Sequence, residues 1–476
     1  MISTASQMKF LNLLFIVLSF SFSQSFAQSR IQNIEKAFNN LLNDEQAKHA
    51  IASLCVLDAN TGKTLFARNE QVGLATASTL KTITAATAFS VLGKDFQFQT
   101  TLAYSGNITA HGTLKGNLII IGSGDPTLGS WRYQNKENAV LTQWVAAIKS
   151  AGIKKIEGAI IGDDRIFGTQ TTPEGWVWQD IGNYYGAGTS GLAWRENQFD
   201  IHLKPGSSTA DGVKIVKTVP ATPYVQIVNE LKTGSSGTGD RSYAFLPPYG
   251  NLAYLRGSWG MGITKTGISV ALPDPAFDCA YRLQDTLKRL GINTNQQATT
   301  TRLMALNNQS IPVATQKIST ISSPTLSEIA YWFLKKSINL YGESLLKIIA
   351  LKSGKEATTA KGAEAEVAFW TNKGIEKSAL NIIDGSGLSP GDRVTTAAMA
   401  SVLFQAQKES WFPDYYKAFP EYNGMKIKSG TINDVSAFAG YHTDAVGNKY
   451  IVVININNYS GSGINKKLFK VLDELK

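Results

Sequence analysis

The sequence predicts an α/β (α+β) protein: a central antiparallel sheet flanked by helices and interrupted by a large strand-rich insertion. Three observations predict it. Apolar strand runs lie near both ends of the chain, in "IASLCVLDANTGKTLFARN" from residue 51 and "MKIKSGTINDVSAFAGYHTDAVGNKYIVVININN" from residue 425. Helical periodicity flanks both runs, in Ile31, Ile34, Phe38, Leu41 and Leu42 at one end and in "INKKLFKVLDELK" at the other. The stretch between, residues 96 to 310, is rich in glycine, short strands and turns.

Taken in order, Lys9, an apolar run and the small-residue exit Ser25-Phe26-Ala27 read as a secretory signal peptide cut after Ala27. Residues 1–27 are then removed and the mature protein is secreted, with a periplasmic location expected. No later stretch approaches 18 unbroken apolar residues, so no membrane span is expected in the mature chain. Asn60-Thr61-Gly62 turns the first strand pair, and Gly447-Asn448 turns a pair among the three strands near the end. Five strands from the two ends can form one sheet, with the terminal helices on one face. "SPTLSEIAYWFLKKS" and "ESLLKIIALKSG" are helices on either side of Ser337-Ile338-Asn339. "LKTGSSGTGDRS", 231 to 242, reads as a flexible polar loop.

Composition narrows the function. Charged residues make up 17% and hydrophobic residues 43%, as in a folded soluble protein. The net charge of +10 comes with no basic helix or aromatic-basic motif, which argues against nucleic acid as a partner. The two cysteines, Cys55 and Cys279, fall in separate parts of the chain and are expected to be free buried thiols. The four histidines, His49, His111, His202 and His442, have no metal-ligand spacing, so neither metal nor cofactor is expected.

"ATASTLKTIT", 75 to 84, places Ser78 and Lys81 one helical turn apart. A serine hydroxyl is a weak nucleophile until a base takes its proton. A lysine is that base only when uncharged, which asks for a drop of roughly three units from about 10.4. Burial and a second cation both supply such a drop. Ser-x-x-Lys alone is weak evidence, and Ser344-Leu345-Leu346-Lys347 repeats it. Specificity comes from an ordered set: Ser78-Thr79-Leu80-Lys81, then Ser337-Ile338-Asn339, then Lys428-Ser429-Gly430-Thr431. Competing copies have plainer readings. Ser105-Gly106-Asn107 is a hairpin turn, Lys352-Ser353-Gly354 a capped helix end, and Lys232-Thr233-Gly234 part of the polar loop, while Lys265-Thr266-Gly267 precedes the Ser-x-Asn.

At these residues the sequence resembles the class C low-molecular-mass penicillin-binding proteins, the D-alanyl-D-alanine carboxypeptidase/endopeptidases. The stretches "GSGDPTL" (122–128), "GWVWQDIGNYYGA" (175–187) and "DGSGLS" (384–389) add to the likeness. Ser337 comes 259 positions after Ser78, where small β-lactamases leave a short gap. The resemblance implies a β-lactamase/transpeptidase-like core from 28–95 and 312–476. It also implies an inserted domain over 96–311, with a small domain nested near 213–262. Ser78 would attack the carbonyl between two D-alanines of a peptidoglycan stem peptide, with Lys81 as base. Ser337 would relay a proton to the leaving amine, with Lys428 nearby, and Asn339 would bind the substrate backbone. Ser429, Gly430 and Thr431 would line the substrate strand, and the Ser78 and Thr431 amides would hold the oxyanion. Asp180 would face the free amine of the stem peptide. The expected partners are stem peptides, their cross-links and β-lactam antibiotics as covalent inhibitors. Ser429 stands where threonine is common, and Pro390 where some relatives carry a basic residue.

Two other readings use the same motifs. A secreted serine β-lactamase needs a deacylating base, and no Glu-x-x-Leu-Asn loop lies between the first two motifs. A catalytically silent wall-binding protein would lack one of the catalytic residues, and none is missing.

Overall fold

The computed structural model describes residues 29–476; the signal-peptide reading of residues 1–27 lies outside them. A helix over 29–42 (α1) leads into strands Ile51–Asp58 (β1) and Thr64–Arg68 (β2), then into the buried helix Lys81–Leu92 (α2). Helices Leu326–Lys336 (α3), Asn339–Lys352 (α4), Thr359–Asn372 (α5) and Thr396–Ala406 (α6) follow the insertion. The chain closes with strands Glu421–Tyr422 (β3), Met425–Ile432 (β4), Val435–Thr443 (β5) and Lys449–Asn457 (β6), and with helix Ile464–Leu472 (α7).

The two ends build one antiparallel sheet, in the order β2-β1-β6-β5-β4-β3. The apolar runs explain its middle, because β1 and β6 are covered on both faces. Cys55, Leu57, Ile451 and Val453 face the helical layer of α2 to α6. Leu54, Val56, Val452, Ile454 and Ile456 pack against α1 and α7 through Ile34, Phe38, Leu468 and Val471. Fully burying one such side chain is worth about 1.5–3 kcal/mol, so this double-sided strand pair anchors the domain. Gly62 and Gly447 take the positive φ (75° and 92°) that their turns require.

The insertion has its own five-stranded sheet, in the order Thr299–Thr300, Ile160–Asp163, Leu118–Ile121, Gln99–Tyr104, Gln316–Ser322. Helices Glu137–Ser150 and Pro275–Arg289 cover it through Trp144, Ile148, Leu283 and Leu287. Because Gln316–Ser322 pairs with Gln99–Tyr104, this sheet runs past residue 311. A further core spans Phe199 to Leu272, wider than 213–262. Within it the segment 231–242 is not a loop throughout. Lys232–Gly234 and Asp240–Phe245 are strands on either side of Leu252–Gly260, with Thr233 buried beneath. Backbone pairing outweighs a polar composition there. Cys55 and Cys279 are buried in different cores.

Candidate functional site

Ser78 lies in a 3₁₀ turn, Ala77–Leu80, that feeds directly into α2. Ala77 is held at φ 44°, a left-handed backbone that non-glycine residues adopt at a cost. This kink turns the half-buried Ser78 out of the helical layer while Lys81 stays 0% exposed. The Lys81 Nζ lies 2.8 Å from Ser78 Oγ, 2.6 Å from Asn339 Oδ1 and 2.6 Å from the Ser386 carbonyl. Asn339 is oriented because its Nδ2 donates to the Tyr185 carbonyl at 2.7 Å, which leaves Oδ1 for the lysine. Two of the three partners of Nζ can therefore only accept. A neutral amine, with two hydrogens and one lone pair, fits this set: it donates to Asn339 and Ser386 and accepts from the Ser78 hydroxyl. Burial pulls the Lys81 amine down to about 7, against Asp384, Glu343 and Asp392, which pull it back up.

Ser337 ends α3 with φ 58° and ψ 42°, and Asn339 begins α4 two residues later. The left-handed serine turns the chain so that α3 and α4 meet at the cleft. On the opposite side, β4 carries Lys428, Ser429, Gly430 and Thr431. Side chains alternate along a strand. Lys428 and Gly430 share the face toward Ser78, while Ser429 is half-buried and Thr431 exposed. A Cβ on Gly430 would lie 2.7 Å from the Thr76 carbonyl oxygen and 2.9 Å from the Ser78 nitrogen. The strand backbone thus runs against the serine turn. Burial holds the Lys428 amine well below its ordinary range, and Lys81, whenever it is protonated, lowers it further. Its Nζ donates to the Ser429 carbonyl at 2.6 Å. Beyond the two-residue β3, no strand among the described residues pairs with the outer edge of β4.

The turn "DGSGLS" closes the cleft from below, and the sequence understated it. Asp384, fully buried, gathers the turn on its carboxylate: Oδ1 accepts from the Ser386 and Gly387 amides, Oδ2 from the Ser389 amide and the Trp176 indole. Gly387, at φ 74°, passes so close to Ala77 that a Cβ would sit 1.9 Å from its carbonyl oxygen. Trp176 is buried, while Trp178 is 52% exposed. Asp180 lies on the short helix Trp178–Ile181, half-buried, with its carboxyl raised by burial and partly restored by the Tyr185 hydroxyl. Tyr185 thus links the Asp180 segment to Asn339.

The competing motifs fall elsewhere. Ser344 is buried and hydrogen-bonds Thr189 Oγ1 at 2.6 Å, and Lys347 donates to the Gln170 carbonyl. Both fasten α4 to the insertion. Gly106 and Gly354 take the positive φ of a hairpin turn and a helix end. Sequence reasoning missed the buried carboxyls Glu343 and Asp392, which act on Lys81, and Glu366 beside Glu343. Glu343 and Glu366 carry one sequence signal, an acidic residue among apolar helix positions; Asp392, in a polar turn, carries none.

Comparison with known proteins gives the chain its class. The chain shares the fold of penicillin-binding protein 4 (dacB) from Haemophilus influenzae, with a TM-score of 0.76 at 24% identity over 91% of this chain and 97% of the other. It is 25% identical over 461 residues to the D-alanyl-D-alanine carboxypeptidase of Actinomadura sp. (strain R39), covering 91% of this chain and 82% of that protein. It is 26% identical over 419 residues to the D-alanyl-D-alanine carboxypeptidase DacB of Haemophilus influenzae, covering 84% of each. Fold and relatives together define a serine-type DD-peptidase, a hydrolase with a transpeptidase-like core. Within that class the chain belongs to the D-Ala-D-Ala carboxypeptidase 3 (S13) family, whose model matches residues 34–475.

Proposed function

We propose that this enzyme hydrolyses the peptide bond that follows a D-alanine in peptidoglycan stem peptides and their cross-links, through an acyl-enzyme on Ser78, acting as both carboxypeptidase and endopeptidase. The observation that carries the reading is the buried Lys81 amine held 2.8 Å from Ser78 Oγ by two acceptor-only partners. Lys81 takes the hydroxyl proton as Oγ attacks the carbonyl carbon. The amides of Ser78 and Thr431 receive the oxyanion; one such donor is typically worth about 3–4 kcal/mol. As the tetrahedral species collapses, the C–N bond breaks and the proton returns to the leaving amine through Ser337, assisted by Lys428. Water then cleaves the ester. Asn339 binds the substrate backbone, Ser429, Gly430 and Thr431 align the peptide along the open edge of β4, and Asp180 pairs with an ammonium on the stem. A β-lactam follows the same first step, but its amine stays tethered, so the adduct persists. The penicillin-binding protein 4 of Haemophilus influenzae has been solved with a β-lactam bound, which supports this part. Secretion after cleavage at Ala27 would put the enzyme beside this substrate in the periplasm. Among the described residues no helix is long and apolar enough to cross a membrane.

The pH dependence follows from Lys81. With its amine lowered to about 7, the base form is lost as pH falls through that value. Acylation by penicillin should fall about tenfold per pH unit below the midpoint. A flat profile between about pH 5.5 and 7.5 would remove Lys81 from the proton transfer. Mass spectrometry of muropeptides after incubation tests the substrate. Loss of one terminal alanine marks carboxypeptidase action, and conversion of dimers to monomers marks endopeptidase action. An enzyme that is acylated by penicillin yet changes no muropeptide sinks the assignment.

A further inference from the structure

Beneath the serine–lysine pair lies a carboxyl group that the mechanism above does not use. Glu343 is 0% exposed and sits on α4 one turn after Asn339, so both reach the same side of the helix. Its two oxygens accept from the Gly385 amide at 3.1 and 3.2 Å. The next residue, Ser386, supplies the carbonyl that takes a hydrogen from Lys81 at 2.6 Å. One helix turn therefore controls two of the three partners of Nζ: Asn339 directly, and Ser386 through Glu343. The backbone here has little slack, since a Cβ on Gly385 would lie 2.4 Å from the Gly342 carbonyl oxygen.

We propose that Glu343 is a positioning residue for acylation: it fixes the Gly385–Ser386 peptide so that the Ser386 carbonyl holds one hydrogen of the Lys81 amine, leaving the nitrogen lone pair aimed at Ser78. This rests on the reading of Ser78 and Lys81 as nucleophile and base. The charge state of Glu343 matters to the same pair. It faces Lys81 from α2, Asp384 from the turn after residue 383, Glu366 from α5, and Lys347 one turn along α4, while Asp392 acts on the same pair through Lys81 and Asp384. Burial, with Asp384 beside it, pushes the Glu343 carboxyl up to about 8, so at neutral pH it is mostly uncharged and leaves Lys81 free to be an amine. Ionised, its negative charge favours the ammonium form of Lys81, so the amine is freed at a higher pH than it would be beside a neutral side chain.

The test uses the rate constant for penicillin acylation per folded enzyme, resolved from the preceding binding step, for wild type, Glu343→Gln and Glu343→Ala between about pH 6 and 10. Glutamine keeps an oxygen for the Gly385 amide, and its nitrogen can donate to the Ser386 hydroxyl oxygen that lies beside residue 343. The expected result is a loss of at least about tenfold in the acylation step of the alanine variant, with binding unchanged, and wild-type rates within about threefold for glutamine at pH 7. The midpoint of the acylation profile should also lie lower in Glu343→Gln, which never carries a charge, than in wild type. A purely structural glutamate would leave the midpoint where it is. An alanine variant that acylates like wild type, a glutamine variant as slow as alanine, or a midpoint that does not move in glutamine overturns the proposal. If the alanine variant does not fold, the rate and the midpoint of the glutamine variant decide alone. A wild-type enzyme that takes no penicillin at Ser78 instead brings down the mechanism on which this rests.

Discussion

Ser78→Ala is expected to abolish covalent labelling by fluorescent penicillin. Among the three groups around the Lys81 nitrogen, Ser78 offers the only hydroxyl; Asn339 and Ser386 present acceptor oxygens that cannot attack. Removing a nucleophile that works as a unit with its base typically lowers turnover by about 10⁵-fold or more. Stability should change little, because Ser78 is half-buried at the cleft and its turn is held by Ala77, Thr79 and Leu80, all buried. The experiment compares intact mass and fluorescence after incubation with penicillin, using Ser344→Ala as the partner variant. Ser344 belongs to the other Ser-x-x-Lys copy, buried against Thr189, and its loss should leave labelling intact. An adduct of normal mass on Ser78→Ala would move the nucleophile elsewhere and dismantle the assignment of the site.

The sheet was legible in the sequence because its central strands are covered twice. A strand buried on both faces reads as an unbroken apolar run, and "IASLCVLD" and "KYIVVININ" are such runs. The motif order was legible for a related reason: short polar triplets at strand and helix ends survive as patterns even when hundreds of residues separate them. The geometry that makes them work was not. Ala77 at φ 44° and Ser337 at φ 58° are strained positions occupied by ordinary residues, so composition carries no mark of them. The role of Asp384 was hidden as well. Its glycine neighbours announce a tight turn, but the four donors on its carboxylate come partly from Trp176, more than 200 residues away. The strands at 232–234 and 240–245 were hidden by serine and glycine, because pairing with Leu252–Gly260 is a long-range choice that local propensity does not register.

Gly430→Ala is expected to damage catalysis more than its single methyl group suggests. The glycine of the third motif has no positive φ to explain it; the reason for it is proximity. Its missing Cβ would come within 2.7 Å of the Thr76 carbonyl oxygen and 2.9 Å of the Ser78 and Thr79 nitrogens, all backbone atoms that cannot swing aside. The added carbon forces β4 and the serine turn apart. Overpacking of this kind costs about 1–3 kcal/mol of stability. The larger effect falls on geometry, since the turn carries the nucleophile and the strand carries Lys428 on the same face as Gly430 and Thr431 directly after it. A misplacement near 1 Å typically lowers a rate about 10²-fold, so acylation should drop by about that factor in protein that is still folded. Gly212→Ala is the control: nothing lies within 4 Å of its added carbon, and it should leave both melting temperature and acylation unchanged. If Gly430→Ala acylates at the wild-type rate, then β4 and the serine turn move independently, and the close approach of strand to nucleophile is not what holds Ser78 in register with Lys428 and Thr431.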